Sequence, residues 1–137
     1  MQDKYRYIGW FVDRRELMRL APGREKRLQR IIRAPHVTYR YRPDSVDLTL
    51  FGRSITLEAV GYGNNGENEG LQVRLVSADP QMQAMFAEIG RPHITLSVSR
   101  QGEPVNTAYL TFEPIEPFTI TGTFGGYDAR THRYDTQ

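Results

Sequence analysis

The sequence predicts an α+β fold, in which mostly antiparallel strands pack with two or three helices in a single domain over residues 1–137. Of the 137 residues, 39% are apolar and 25% are charged, which is ordinary composition for one globular domain with a real core. Short runs of β-branched and aromatic residues recur between turn residues, as in strands. Helical periodicity is confined to short stretches, so strands should dominate the fold.

The first half of the chain predicts strands separated by a basic helical region. In chain order, the predicted elements are a strand in "YRYIGWFVD", a short helix in "RRELMRLAPG", a further helical turn or two in "REKRLQRIIRAP", and a strand in "HVTYRY". The stretch "DLTLFGRSITLEAVGYG" predicts a strand, a Phe-Gly turn and a second strand. The polar "NNGENEG" predicts an exposed loop, which leads into the strand "LQVRLVS" of an antiparallel hairpin.

The second half contains the clearest helix of the sequence. In "ADPQMQAMFAEIG", Asp79 is placed to cap the N-terminus, Pro80 suits the first turn and Gly90 suits termination. The predicted strands that follow are "RPHITLSVS", "TAYLTFEPI" and "FTITGTFGGY". Residues 128–137 have little apolar content, so we expect this tail to lie loosely on the surface.

Composition narrows the classes of function. The chain has no cysteine, which excludes disulfides, thiolate nucleophiles and cysteine zinc sites. A five-residue apolar run, broken by Asp13, is too short for a signal peptide or a membrane span, so we expect a soluble cytoplasmic protein. Eight of the eighteen Lys and Arg residues lie between Arg14 and Arg33. They form either a basic face for an anionic partner or only a solvated helix face.

A short element occurs twice and points to a functional site. The stretch "APHVTYRY" at 34–41 recurs as "RPHITLSV" at 91–98, each with Pro, His, a β-branched aliphatic residue and Thr. Because strand side chains alternate, His36 and Thr38 share one face, as do His93 and Thr95. The aliphatic residues between them should anchor the core. If the two halves pack with approximate twofold symmetry, two imidazoles and two hydroxyls converge.

Such a set suits hydrolysis of a phosphodiester. A neutral imidazole can take a proton from attacking water while a protonated imidazole gives one to the leaving oxygen. The threonine hydroxyls can donate to nonbridging phosphate oxygens, where negative charge develops. No cofactor is required. A metal site would need further ligands, and no His or carboxylate lies two or four residues after His36 or His93.

The paired motifs His36-Val37-Thr38 and His93-Ile94-Thr95 resemble the two histidine motifs of the 2H phosphoesterase superfamily. That superfamily includes RNA ligase-like 2',3'-cyclic phosphodiesterases, the phosphodiesterase domain of fungal tRNA ligase, and phage enzymes that degrade cyclic nucleotide defence signals. The resemblance implies two pseudosymmetric lobes of antiparallel strands and helices around a central cleft. It also implies that His36 and His93 are the acid and base and that Thr38 and Thr95 bind the substrate phosphate.

From these observations we expect a metal-independent phosphodiesterase, a hydrolase acting on a 2',3'-cyclic phosphate RNA end or on a small cyclic or 2'-5'-linked nucleotide. Cyclic nucleotide signals, as degraded by the phage enzymes, are among these substrates. The alternative is a non-catalytic RNA- or nucleotide-binding module on the same fold. Partners other than the nucleotide or RNA substrate are not implied: we expect a monomer with no membrane or protein partner.

Aromatic residues near the motifs are candidates for stacking on a nucleobase, namely Tyr7, Trp10 and Tyr127. For each of them, packing in the core or at the rim is the alternative. Tyr7 and Trp10 cannot both face the cleft, because their odd separation places them on opposite faces of one regular strand. His132 lies in the polar tail, and we expect it to have no role in the site.

Overall fold

The computed structural model describes residues 2–137, in which eight strands form one antiparallel sheet accompanied by few helices. This confirms the predicted α+β class. The strands are β1 (Tyr7–Val12), β2 (Arg30–Ile31), β3 (His36–Tyr41), β4 (Ser54–Asn64), β5 (Asn68–Ser77), β6 (His93–Val98), β7 (Glu113–Asp128) and β8 (Arg133–Asp135). The α-helices are α1 (Arg14–Leu20) and α2 (Pro80–Ala87), and 3-10 turns occupy Arg24–Lys26, Leu48–Leu50 and Pro104–Tyr109.

The strand order in the sheet is β2-β6-β5-β4-β7-β1-β3, and β8 pairs with β7 outside this path. The long strand β7 pairs with β4 along its first part and with β1 along its last part. It therefore joins the β1–β3 pair to the four strands on the other side. Although β3 and β6 are far apart in this order, their Cα atoms approach within 8 Å. The sheet is thus curved until the β3 end meets the β6 region.

The core lies on the face of the sheet to which Trp10 and Phe124 point, and both side chains are almost fully buried. Helix α2 covers this face with Met82 and Phe86, and the Trp10 indole Nε1 donates to the Met82 Sδ at 3.3 Å. The aliphatic residues between His and Thr in the two motifs, Val37 and Ile94, are buried here, as predicted. Burying side chains of this size contributes about 1.5–3 kcal/mol each.

Both α-helices begin at an aspartate whose carboxylate accepts a backbone N–H of the first turn. Asp13 accepts from the Glu16 N–H, and Asp79 accepts from the Met82 N–H, each at 2.8 Å. Pro80 occupies the first turn of α2, as the sequence predicts. None of the helices in residues 2–137 is long and apolar enough to cross a membrane.

Three local predictions of secondary structure are wrong. The predicted strand in "DLTL" is a 3-10 turn, Leu48–Leu50, which the Asp47 carboxylate caps by accepting from the Thr49 N–H. In the other two, tertiary contacts override local propensity. The segment "REKRLQRIIRAP" forms only a 3-10 turn and the short strand β2, which pairs with β6. It is pinned by a hydrogen bond from the Leu28 N–H to the Ser97 Oγ at 2.9 Å. The first residues of the predicted strand "TAYLTFEPI" belong to the 3-10 turn Pro104–Tyr109, and the sheet resumes at Glu113, so the last strand is longer than predicted.

The tail 128–137 is not loose, contrary to the prediction. Its residues Arg133–Asp135 form β8 on β7, and the Tyr134 ring stacks on Phe11 with 4.2 Å between centroids. The Asp135 carboxylate accepts from the Tyr5 hydroxyl at 2.8 Å and pairs with the Lys4 Nζ at 3.3 Å. The low apolar content of the tail hid these contacts, because Tyr134 is its only Phe, Trp or Tyr residue.

Candidate active site

The two histidines have the same position and the same local contact. His36 is the first residue of β3 and His93 is the first residue of β6. In each case the imidazole Nδ1 lies 2.8 Å from a carbonyl oxygen two residues earlier, that of Ala34 or Arg91. A carbonyl only accepts, so Nδ1 must carry the proton. In the neutral ring this leaves the Nε2 lone pair free, which is the state that a general base requires.

The fold brings the two strands that begin with these histidines, β3 and β6, close to each other. Strand β3 approaches β6 directly, without hydrogen bonds between them in the sheet. Besides burial, His93 also makes a small contribution to the lowered pKa of His36, in keeping with the proximity of these two strands. Convergence of the two imidazoles and the two threonine hydroxyls on one spot stays a prediction.

His36 is half-buried and packs against two aromatic rings. The Tyr7 ring stacks on its imidazole with 4.3 Å between centroids and 20° between planes, and Phe11 lies at 5.3 Å. Burial lowers the pKa of His36 from 6.5 to about 4, because desolvation penalises the imidazolium; the hydrogen bond to Ala34 acts in the opposite direction. His36 is therefore neutral at pH 7 in the free protein.

His93 has a more open environment. Its hydrogen bond to the Arg91 carbonyl is exposed, and its partner across the strands is Gln72 of β5. Burial also lowers the pKa of His93, again opposed by the hydrogen bond from Nδ1. The two histidines thus share a local contact but differ in their surroundings.

The two threonines of the motifs differ as well. Thr38 is half-buried and its hydroxyl makes no hydrogen bond with any other residue among 2–137. Across the strands it faces Gly9, where an added Cβ would lie 2.1 Å from the Val37 carbonyl oxygen, so only glycine lets β1 and β3 pack this closely. Thr95 is 8% exposed, and its hydroxyl lies 2.9 Å from the Thr107 Oγ1 and 3.1 Å from the Pro104 carbonyl oxygen.

Two of the three candidates for base stacking are found near His36. Tyr7 is half-buried and stacks on both His36 and Tyr127, whose ring centroid is 5.0 Å away. The Tyr7 ring thus packs against side chains of β3 and β7, the two strands on either side of β1. Trp10 is 0% exposed and packs against Phe124, so it has no face open to a base and we do not carry it into the site.

Sequence reasoning missed a buried polar cluster that continues along β6. Two residues after Thr95, the Ser97 hydroxyl donates to Glu69 Oε1 at 2.6 Å. The other carboxylate oxygen of Glu69 accepts from the Arg27 guanidinium and from the Tyr62 hydroxyl. Glu69 is fully buried, although it belongs to the stretch "NNGENEG" that predicts an exposed loop. The alternation of His93, Thr95 and Ser97 was the available signal.

Because Arg27 belongs to this cluster, part of the basic segment Arg14–Arg33 has a structural role. Arg27 is 11% exposed and pairs with Glu69, while Arg30 donates to the carbonyl oxygens of Ser99 and Gly102. These two arginines hold the segment on the sheet. The other six basic residues of the segment are exposed, so a smaller basic face is left for an anionic partner.

Within residues 2–137, no group of three or more His, Asp or Glu side chains is placed to hold a metal ion. Two surface depressions lie away from the histidines. One is lined by Ser54, Thr56, Ser77 and Thr121, and the other, about 650 Å³, by Lys26, Tyr62, Asn64 and Glu113. Both are open hollows, and neither is lined by His36 or His93.

Comparison of the sequence with protein-family models gave no match, and comparison with curated proteins gave none either.

Proposed function

We propose that this protein is a metal-independent phosphodiesterase that uses His36 and His93 as its acid/base pair. The observation that carries the proposal is the duplicated His-x-Thr element, whose two histidines have matching Nδ1 contacts and begin two strands, β3 and β6, that approach each other. In this proposal the strands that carry the motifs, β3 and β6, belong to two pseudosymmetric lobes with the substrate phosphate in a cleft between them.

The surroundings of the histidines suggest a division of roles. His36, packed against Tyr7 and neutral at pH 7, is the base: its Nε2 takes a proton from water as the water oxygen attacks phosphorus. His93, more open to solvent, is the acid: its Nε2–H gives a proton to the leaving sugar oxygen as the phosphorus–oxygen bond breaks. The dianionic transition state would favour protonation of His93 when substrate is bound.

The threonines stabilise the negative charge on the nonbridging oxygens. Thr38 can donate directly, since its hydroxyl has no other partner among residues 2–137. Before Thr95 can donate to the phosphate, the hydrogen bonds of its hydroxyl must be rearranged. The Asn68 side-chain amide donates to Thr107 Oγ1 at 3.1 Å, so the Thr107 proton can point to Thr95. Thr95 can then turn its own proton from the Pro104 carbonyl to the phosphate while it still accepts from Thr107.

The substrate class is a 2',3'-cyclic phosphate end or a small cyclic or 2'-5'-linked nucleotide. The test is incubation of the purified chain with 2',3'-cyclic nucleotides, 2'-5' oligonucleotides and cyclic di- and trinucleotides, followed by separation of the products. We expect hydrolysis of at least one class, undiminished by excess EDTA and lost in His36→Ala and His93→Ala. The variant His132→Asn is the matched control and should retain full activity.

Two results would contradict this proposal. Binding of a nucleotide without turnover of any substrate in the panel would identify a non-catalytic nucleotide-binding module. Activity that EDTA abolishes and zinc or manganese restores would replace two-histidine catalysis with metal chemistry.

A further inference from the structure

Two exposed tyrosines flank the histidine pair, and neither belongs to the repeated motifs. The first is Tyr134 of β8, which stacks on Phe11 with 4.2 Å between ring centroids and 2° between planes. Phe11 in turn contacts the His36 imidazole at 5.3 Å. Phe11 covers one face of the Tyr134 ring, yet the residue is 41% exposed, so its opposite face is open to solvent. The Tyr134 ring is thus linked to the His36 imidazole through the ring of Phe11.

The second is Tyr109, the last residue of the 3-10 turn that covers Thr95. It is 70% exposed, and the Arg91 guanidinium lies 5.1 Å from its ring centroid. Two contacts tie it to the other motif: the Arg91 carbonyl accepts from His93, and Thr107, in the same turn, bonds to Thr95. The exposed Tyr109 ring, with a guanidinium beside it, is therefore linked to the start of β6 through Arg91 and Thr107.

Single exposed aromatic residues are common on protein surfaces and need no functional explanation. Here each exposed ring packs against a planar group of a residue that itself contacts one of the two histidines. Tyr134 packs on Phe11, and Tyr109 packs on the Arg91 guanidinium. A ring that is already ordered loses little conformational entropy when a flat ligand stacks on it. Nucleobases are such ligands, and they stack on aromatic rings and on guanidinium planes.

We propose that Tyr134 and Tyr109 are two base platforms of one site, where a base platform is an aromatic ring on which a nucleobase stacks. The inference rests on the proposed function, which places the scissile phosphate between His36 and His93. With a platform beside each histidine, the substrate carries a base on each side of the cleaved phosphodiester. Linear 2'-5'-linked dinucleotides and cyclic dinucleotides meet this requirement. A 2',3'-cyclic mononucleotide does not, because it has one base.

Binding tests this without turnover. In a His36→Ala/His93→Ala background, the Kd of 2'-5'-linked diadenylate and of 2',3'-cyclic AMP is measured by titration calorimetry. Adding Tyr134→Ala or Tyr109→Ala should weaken dinucleotide binding by about 5- to 100-fold, as loss of one base stack does. Tyr134→Phe and Tyr109→Phe should bind within about twofold of the parent, since the ring is kept. The mononucleotide should respond to only one of the two alanine changes.

Tyr41 provides the matched control, because it is 60% exposed with the Arg42 guanidinium 5.6 Å from its ring and lies at the far end of β3 from His36. Tyr41→Ala should leave both Kd values unchanged. Dinucleotide binding that ignores Tyr134→Ala and Tyr109→Ala, or that falls equally in Tyr41→Ala, overturns the two-platform site. Tyrosine-dependent binding together with a wild-type chain that cleaves no phosphodiester overturns the proposed function and leaves the platforms standing.

Discussion

Burial of His36 among Tyr7 and Phe11 should make the folded protein lose stability in mild acid. Its pKa is about 4 in the folded protein against 6.5 for an exposed histidine, so between these values the unfolded chain binds a proton that the folded chain excludes. Folding stability therefore rises with pH across this window. The contribution is complete above about pH 6.5 and is lost as the pH falls toward 4.

The size of the effect follows from the shift. At a pH below both values, a pKa lowered from 6.5 to about 4 reduces the free energy of unfolding by about 3 kcal/mol. Between pH 7 and pH 4.5, where the folded imidazole is still mostly neutral, the loss from this residue alone is about 2 kcal/mol. This is a large fraction of the stability of a domain of ordinary size.

The assay is urea denaturation at the two pH values, followed by the fluorescence of Trp10, the single and fully buried tryptophan. His36→Asn removes the titration but keeps an N–H that can reach the Ala34 carbonyl. Carboxylates titrate in both proteins, so their effect cancels in the comparison. Wild type should lose about 2 kcal/mol more than His36→Asn on acidification.

The matched control is His132→Asn, because His132 has φ 56° and asparagine tolerates this left-handed conformation. When the pH is lowered from 7 to 4.5, His132→Asn should lose as much free energy of unfolding as wild type. Equal losses in wild type and His36→Asn would refute the burial of a neutral imidazole at this position, and with it the choice of His36 as the base.

Four further outcomes are expected. The plot of kcat/KM against pH should be bell-shaped with its maximum between pH 4 and 6.5, since burial lowers the pKa of both His36 and His93; a maximum above pH 7 would contradict the assignment. His36→Ala and His93→Ala should each reduce turnover by about 10²-fold or more, and the double variant should be scarcely worse, as measured by single-turnover kinetics. Thr38→Ala and Thr95→Ala should each reduce turnover less than the histidine changes, and only Thr95→Ala should also lower the melting temperature, because it breaks a buried hydrogen bond. If the exposed part of the segment Arg14–Arg33 guides substrate, kcat/KM should fall as salt rises, and a flat response would identify a solvated face.

The features that could be predicted from the sequence are those that depend only on residues close together in the chain. The period-two alternation of "PHVT" and "PHIT" places Val37 and Ile94 in the core and puts the His and Thr side chains on the other face. The Asp79-Pro80 pair marks the start of α2 because capping needs only neighbouring residues. The matching Nδ1 contacts are equally local, since each spans two residues.

The features that escaped prediction depend on partners distant in the chain. Glu69 is buried in a stretch of loop-like composition because Arg27, Tyr62 and Ser97 satisfy its carboxylate. The Tyr134 ring stacks on the ring of Phe11 in β1, a contact that the polar sequence around Tyr134 does not indicate. The different surroundings of the two histidines have the same origin: the sequence repeats the motif, but the rings that enclose His36 come from β1.

The double pairing of β7 has a consequence for how the protein is made. While the nascent chain lacks Glu113–Asp128, β1 and β3 can pair only as a two-stranded ribbon, which is marginally stable in water, and β4, β5 and β6 form a separate sheet. Nothing in the sheet then fixes His36 relative to His93. Only when β7 leaves the ribosome does one strand bind both parts through β4 and β1. The histidine pair is therefore assembled late, after translation of every residue that forms it.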